Sequence, residues 1–333
     1  MKRFFAMALM ALMLLSAMAQ EKNEPVVLAY VSAGSEVMPD VTKVTHICYA
    51  FGHVEKTFDR VRVHNPDRLH KIAKLKEINP KLKIMLSVGG WGSGNFSEMA
   101  DNDSLRESFV NSCAAVVKDF GIDGIDIDWE YPGVPAAGIS CGPNDRKNFS
   151  QLMHDLRRVL GPDGMLMLAT QARARAYNFD EFLDDVNFVN VMSYDMGQVP
   201  RHHAPLYNSE QFPGFTCEKA VQAHLDRGVP REKIVLGLPF YGHGNKTDIP
   251  YYMDWKDLGK YSQFEQKWDD TAKVPYLVND KGEIVGVFDN PKSLELKCQW
   301  AKQQGLRGVM YWEYTCDDPQ GTLRTVVFET MNK

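Results

Sequence analysis

Gly121-Ile-Asp-Gly-Ile-Asp-Ile-Asp-Trp-Glu-Tyr-Pro-Gly133 is the stretch on which the reading of this chain turns. Isoleucine and carboxylate alternate in it. In an extended strand, successive side chains point to opposite faces. Gly124, Asp126, Asp128 and Glu130 then share one face, and Ile125 and Ile127 the other. The isoleucines suit a face covered by helices. The three carboxyl groups, about 7 Å apart per two-residue step, suit the interior and C-terminal end of a barrel strand. Like charges that close cannot all ionise, so burial and repulsion raise at least one pKa, as a general acid working near neutral pH requires.

Structural readings of the same residues fail on their partners. No Lys or Arg occurs between Asp119 and Arg146 to neutralise buried carboxylates, and leaving them unpaired costs several kcal/mol. A calcium loop counted from Asp126 would put Tyr131 where Gly is needed and Ala137 where Glu is needed.

Seven further strand-like runs flank this one, near 26–31, 44–51, 82–89, 164–171, 186–194, 233–240 and 307–313. Helical spacing fills several gaps. Phe149, Leu152, Met153, Leu156, Val159 and Leu160 keep it and stop at Gly161. Ser104 and Glu107 read as a capping box before Phe109, Cys113, Val116 and Phe120. Eight alternating β and α units predict an α/β fold of the (β/α)8 TIM-barrel type, for which 333 residues suffice. Between the seventh strand and the following helix, about 242–290, lies an aromatic and charged insertion on the rim, containing Tyr251, Tyr252, Trp255, Tyr261, Phe264 and Trp268.

The N-terminus has a different grammar. Lys2 and Arg3, an apolar run from Phe4 to Leu15, and Ala17-Met18-Ala19 predict a signal peptide over 1–19. The catalytic barrel would then occupy 20–333, exported as a secreted or periplasmic protein without stable membrane insertion, the apolar run being shorter than a bilayer span. Net charge is -5, or -7 without Lys2 and Arg3, and the basic residues form no run, which argues against nucleic acid. Among six cysteines, Cys48, Cys113 and Cys298 read as buried thiols. Cys141, Cys217 and Cys316 read as loop residues, two of which could pair. No metal-ligand spacing, phosphate loop or dinucleotide fingerprint is present, so neither metal nor cofactor is expected.

The carboxylate stretch closely resembles the D-x-x-D-x-D-x-E signature of glycoside hydrolase family 18, the chitinases and their relatives. Trp129 with Tyr131-Pro132-Gly133 resembles the chitinase branch. Tyr49-Ala-Phe51, Ser87-Val-Gly-Gly-Trp91, Met192-Ser-Tyr-Asp195, Gly237-Leu-Pro-Phe-Tyr-Gly242 and Val309-Met-Tyr-Trp-Glu313 are similar to further family motifs, and His202-His-Ala-Pro-Leu206 to a family loop. The resemblance implies cleavage of β-1,4-linked N-acetylglucosamine with retention, assisted by the substrate's own acetamido group, through an oxazolinium intermediate. It implies Glu130 as the acid, Asp128 holding the acetamido N–H with Asp126 behind it, and Tyr194 at the acetamido carbonyl. Trp312 would floor the sugar, with Trp91, Asp195, Met192, Gln171, Phe51, Tyr131 and Tyr241 as further substrate contacts. The partner would be an N-acetylglucosamine-containing oligo- or polysaccharide. An endo-β-N-acetylglucosaminidase acting on the chitobiose core of N-glycans and a catalytically silent chitooligosaccharide-binding lectin are the alternatives.

Overall fold

A computed structural model describes residues 24–333. The leader predicted for 1–19 lies outside them. Eight strands form the inner wall: β1 (Val26–Ser32), β2 (His46–Val54), β4 (Lys83–Gly89), β5 (Gly124–Asp128), β6 (Met165–Gln171), β7 (Phe188–Met192), β8 (Ile234–Pro239) and β14 (Gly308–Trp312). Each pairs in parallel with the next, and β14 pairs back onto β1, which closes the barrel. Closure leaves no unpaired edge among these eight. A ninth strand, β3 (Val61–Val63), folds back antiparallel onto the end of β2 and was not expected from the sequence.

Strand parity follows the alternation rule. Ile125 and Ile127 are fully buried on the helix side, and Trp129, of the same parity, stacks on Phe96 at 5.1 Å. Asp126 occupies the interior. The alternating run from Gly124 to Glu130 is longer than the strand itself, because pairing ends at Asp128 and Trp129 and Glu130 continue into the turn above it.

Helices cover the outside. Asp145–Leu160 buries Phe149, Leu152, Met153 and Leu156 and ends against Gly161, as its spacing predicts. For Asp103–Phe120 the cap differs from expectation: the Asn102 side chain, not Ser104, accepts from the third backbone N–H, that of Leu105. Ser104 lies inside the helix, and Glu107 instead pairs with Arg158. Asn and Ser cap comparably well, so the local pattern offered two starts and the earlier one prevailed.

The insertion after β8 is a five-stranded antiparallel sheet. Its strands are β9 (Tyr241–Gly244), β10 (Tyr252–Asp254), β11 (Glu265–Asp269), β12 (Val274–Val278) and β13 (Ile284–Val287), in the order β10-β9-β13-β12-β11. Phe240 alone separates β8 from β9, so the first strand of the sheet grows directly out of the barrel wall. Its own small core includes Ile249, Met253, Leu277, Val285 and Phe288.

All six cysteines are free thiols, and no two of Cys141, Cys217 and Cys316, which were read as able to pair, are joined. Cys217 opens the helix Cys217–Leu225 and is buried against the Ser193 and Ala204 carbonyls. Cys316 is buried in a single turn beside Asp254, while Cys141 is exposed. No helix among the described residues is long and apolar enough to cross a membrane.

Candidate active site

The C-terminal ends of the barrel strands open into a cleft of about 890 Å³. Eleven of the twelve residues singled out from sequence line it: Phe51, Trp91, Asp128, Glu130, Tyr131, Gln171, Met192, Tyr194, Asp195, Tyr241 and Trp312. The twelfth, Asp126, lies fully buried beneath them.

Asp126 is held by three donors. Ser87 Oγ and Tyr30 Oη donate to Oδ2 at 2.7 and 3.0 Å, and Asn190 Nδ2 donates to Oδ1 at 3.1 Å. Burial pushes its pKa up to about 6, against the pull of these hydrogen bonds, which favour the charged form. Removing a donor therefore costs more when Asp126 is ionised. Ser87→Ala is expected to lose about 1–2 kcal/mol of stability. Urea unfolding at pH 8 and pH 5 checks this: the loss is larger at pH 8, and equal losses would mean the hydroxyl does not serve the carboxylate.

Asp128 and Glu130 form an interacting pair above it. Burial raises the Asp128 pKa well above the ordinary value, and the charges of Glu130 and Asp126 add to the effect. Burial also lifts Glu130 to about 7, with the Asp195 carboxylate contributing and a hydrogen bond to Tyr131 opposing. Near neutral pH the pair therefore keeps a proton. Asp128 Oδ1 is buried with no hydrogen-bond partner among the described residues. It is an acceptor without a donor, on a side chain that lines the cleft.

The backbone brings the pair close to β4. Gly89 pairs with Asp128 in register, and the Gly90 N–H donates to the Asp128 carbonyl at 2.9 Å. Gly89 has φ 129, and a Cβ there would fall 2.0 Å from the Asp128 carbonyl oxygen, so only glycine fits this approach.

Aromatic rings line the rest. Trp312 stacks on Phe51 at 5.5 Å and leans on Tyr30 at 5.7 Å. Trp91 is 66% exposed, as is much of Tyr252 from the inserted sheet. The Tyr194 hydroxyl reaches only the Met310 sulfur, at 3.9 Å, and has no oxygen partner in the barrel. Gln171 and Met192, paired in register at the ends of β6 and β7, are half-buried.

Asp195 follows in the left-handed region, φ 55. Tyr241 Oη donates to its Oδ1 at 2.7 Å. Its carboxyl is held well below the usual range: burial opposes this, but the His203 and His243 imidazoles and the Tyr241 hydroxyl outweigh it.

The sequence from 20 to 317 matches the family model described as glycosyl hydrolases family 18. The chain belongs to that family. This family 18 chain is 32% identical over 297 residues to chitinase A1 of Niallia circulans, covering 75% of the chain and 42% of that protein. It is 30% identical over 326 residues to chitotriosidase-1 of Mus musculus, covering 85% and 69%. Thus it spans less than half the length of the first relative. A solved family 18 N-acetylglucosaminidase from Paenibacillus barengoltzii superposes with a TM-score of 0.82 at 33% identity, covering 92% of this family 18 chain and 99% of the other.

Several residues around the family 18 cleft escaped sequence reasoning. Tyr30 and Asn190 hold Asp126 from distant strands, and nothing local marks either. Ser87, which opens one of the family-like motifs, donates to the same carboxylate. Arg173, Gln198 and Phe215 come from loops. Tyr251 and Tyr252 were visible as aromatics of the insertion, but their place in the cleft wall depends on how that sheet seats on the barrel. His202, in the family-like loop 202–206, is buried against Asp269, Phe212 and Tyr276. Its neighbour His203 turns instead towards Asp195.

Proposed function

We propose that this chain is a retaining glycosidase that cleaves β-1,4-linked N-acetylglucosamine oligosaccharides by substrate-assisted catalysis. The observation that carries the reading is the pair of buried carboxyls at the cleft floor. One is protonatable near pH 7, and the other has a free acceptor oxygen. In this reading Glu130 protonates the leaving glycosidic oxygen as the bond to the anomeric carbon breaks. The 2-acetamido oxygen attacks that carbon, forming an oxazolinium ion, and water opens it on the face the leaving group left. Asp128 Oδ1 accepts the acetamido N–H and balances the positive charge that develops, with Asp126 sharing the negative charge below it. Tyr194 donates to the acetamido oxygen. Trp312 and Phe51 supply an apolar floor for the C–H face of the sugar.

Chitooligosaccharides are the reference substrate, in keeping with relatives named chitinase A1 and chitotriosidase-1. Release of single N-acetylglucosamine units is the second reading. It is favoured by the 33% identity to the Paenibacillus structure named an N-acetylglucosaminidase. The leader grammar at 1–19 supports an activity outside the cytoplasm in either case.

Incubation with N-acetylglucosamine oligomers and an N-linked glycoprotein, with products sized by mass spectrometry, tests the proposal. Oligomer cleavage is expected, with kcat/KM falling as pH rises through about 7, because the Glu130 proton is lost there. Dimer products indicate a chitinase and monomers the second reading. Cleavage of the glycoprotein alone would replace both with the N-glycan alternative, and binding without cleavage would make the chain a lectin.

A further inference from the structure

The cleft wall carries a cluster of which the glycosidase reading uses only Asp195, as a substrate contact. Asp195 follows β7, His203 lies in the loop before the helix Cys217–Leu225, and His243 belongs to β9 of the inserted sheet. One candidate ligand atom from each lies within 4.8 Å of the others. Both histidines are 1% exposed, with ring centroids 4.6 Å apart. His243 Nε2 is 2.9 Å and His203 Nδ1 3.6 Å from Asp195 Oδ1. Despite that proximity, none of the four ring nitrogens has an aligned hydrogen-bond partner among the described residues. Buried donors and acceptors without partners each cost about 1–3 kcal/mol, and the Asp195 contacts still leave His203 Nε2 and His243 Nδ1 with none among the described residues, which requires an explanation.

We propose that Asp195, His203 and His243 bind one divalent transition-metal ion of the zinc class, with a fourth coordination position open to the cleft. Two imidazoles and a carboxylate are a donor set that suits zinc, and three protein ligands with one open position is a geometry zinc adopts readily. Tyr241 Oη, at 2.7 Å, would fix the carboxylate without touching the metal itself. Asp128 and Glu130 across the cleft add negative charge that favours a cation. No local spacing announces this site, because the three ligands come from three separate elements.

Calorimetric titration of the full chain with Zn²⁺ is the test, with Co²⁺ absorption as a second measurement. One ion per chain is expected. His203→Asn and His243→Gln should each weaken binding at least as much as loss of a supporting partner does, about 10–100-fold, while metal-free unfolding midpoints report whether the variants fold. Co²⁺ should give the strong visible bands of a four-coordinate site. Absence of stoichiometric zinc, or folded variants that bind as tightly as wild type, would overturn the proposal. If a variant does not fold, the wild-type Co²⁺ spectrum decides, and weak six-coordinate bands count against the site. A corollary rests on the glycosidase reading: bound zinc occupies Asp195 and slows oligosaccharide hydrolysis, reversibly with a chelator. Stoichiometric zinc without inhibition would keep the metal site and instead remove Asp195 from the substrate contacts.

Discussion

Glu130→Gln is expected to reduce hydrolysis of N-acetylglucosamine oligomers by roughly 10²–10⁴-fold, the range that a positioned general acid contributes, while oligosaccharide binding stays near wild type. The amide nearly matches the carboxyl in shape, and it cannot deliver a proton. A stability effect of opposite sign accompanies the loss. The Glu130 pKa is raised in the folded chain from 4.5 to about 7, so the folded state prefers the protonated form. That preference imposes no cost below about pH 4.5, and it becomes a penalty as pH rises through about 7. Replacing the ionisable group removes the penalty, worth up to about 3 kcal/mol. The variant should therefore melt higher than wild type at pH 8 and close to it at pH 4.5. Single-turnover assays and pH-resolved thermal melts check the two halves separately. Undiminished hydrolysis would sink Glu130 as the acid, whereas a variant that melts lower at pH 8 would show that the carboxylate is compensated by something other than its proton.

Gly89→Ala should be the most damaging of the small substitutions at the site. Its φ of 129 is a conformation that L side chains rarely adopt, and the added methyl would meet the Asp128 carbonyl at 2.0 Å. Backbone strain of about 1–2 kcal/mol and overpacking of about 1–3 kcal/mol add to a loss of roughly 2–5 kcal/mol. Because the clash falls on the peptide that carries Asp128, activity should drop beyond what lower stability explains. Gly305→Ala is the control: φ there is 68, but a Cβ would meet nothing within 4 Å, so only the backbone strain applies. Urea unfolding and steady-state kinetics at a temperature where both variants are folded distinguish them. Equal losses would mean that β4 can move away from β5, and that the tight approach is not what positions the carboxylates.

What the sequence made legible follows from the range of each signal. Alternation is local, so the order of residues within 121–133 is enough to set Asp126, Asp128 and Glu130 on one face and Ile125 and Ile127 on the other. The eight-strand barrel followed from the same kind of periodicity repeated along the chain. Contacts between distant elements leave no such trace. Tyr30 and Asn190 converge on Asp126 only because the barrel closes, and His243 reaches Asp195 only because β9 extends from β8. The cap of the helix Asp103–Phe120 was misread because Asn102 and Ser104 are both competent caps and tertiary packing chose between them. The cysteine expectation failed for a related reason. Cys217 and Cys316 look exposed in polar sequence, yet packing from other elements buries both.

The inserted sheet enters through Phe240 and returns to the barrel at the helix that begins with Pro291. Glu130 and much of one cleft wall thus lie on separate stretches of chain, joined at two seams. Variation in 241–287 can reshape what the wall admits, in length or branching, while the barrel keeps the carboxyls in place. For an engineer this makes the segment a cassette. Its exchange between relatives, with Tyr241 and His243 kept, should redirect which ligands the cleft admits while Asp195 and the carboxyls of the barrel keep their surroundings.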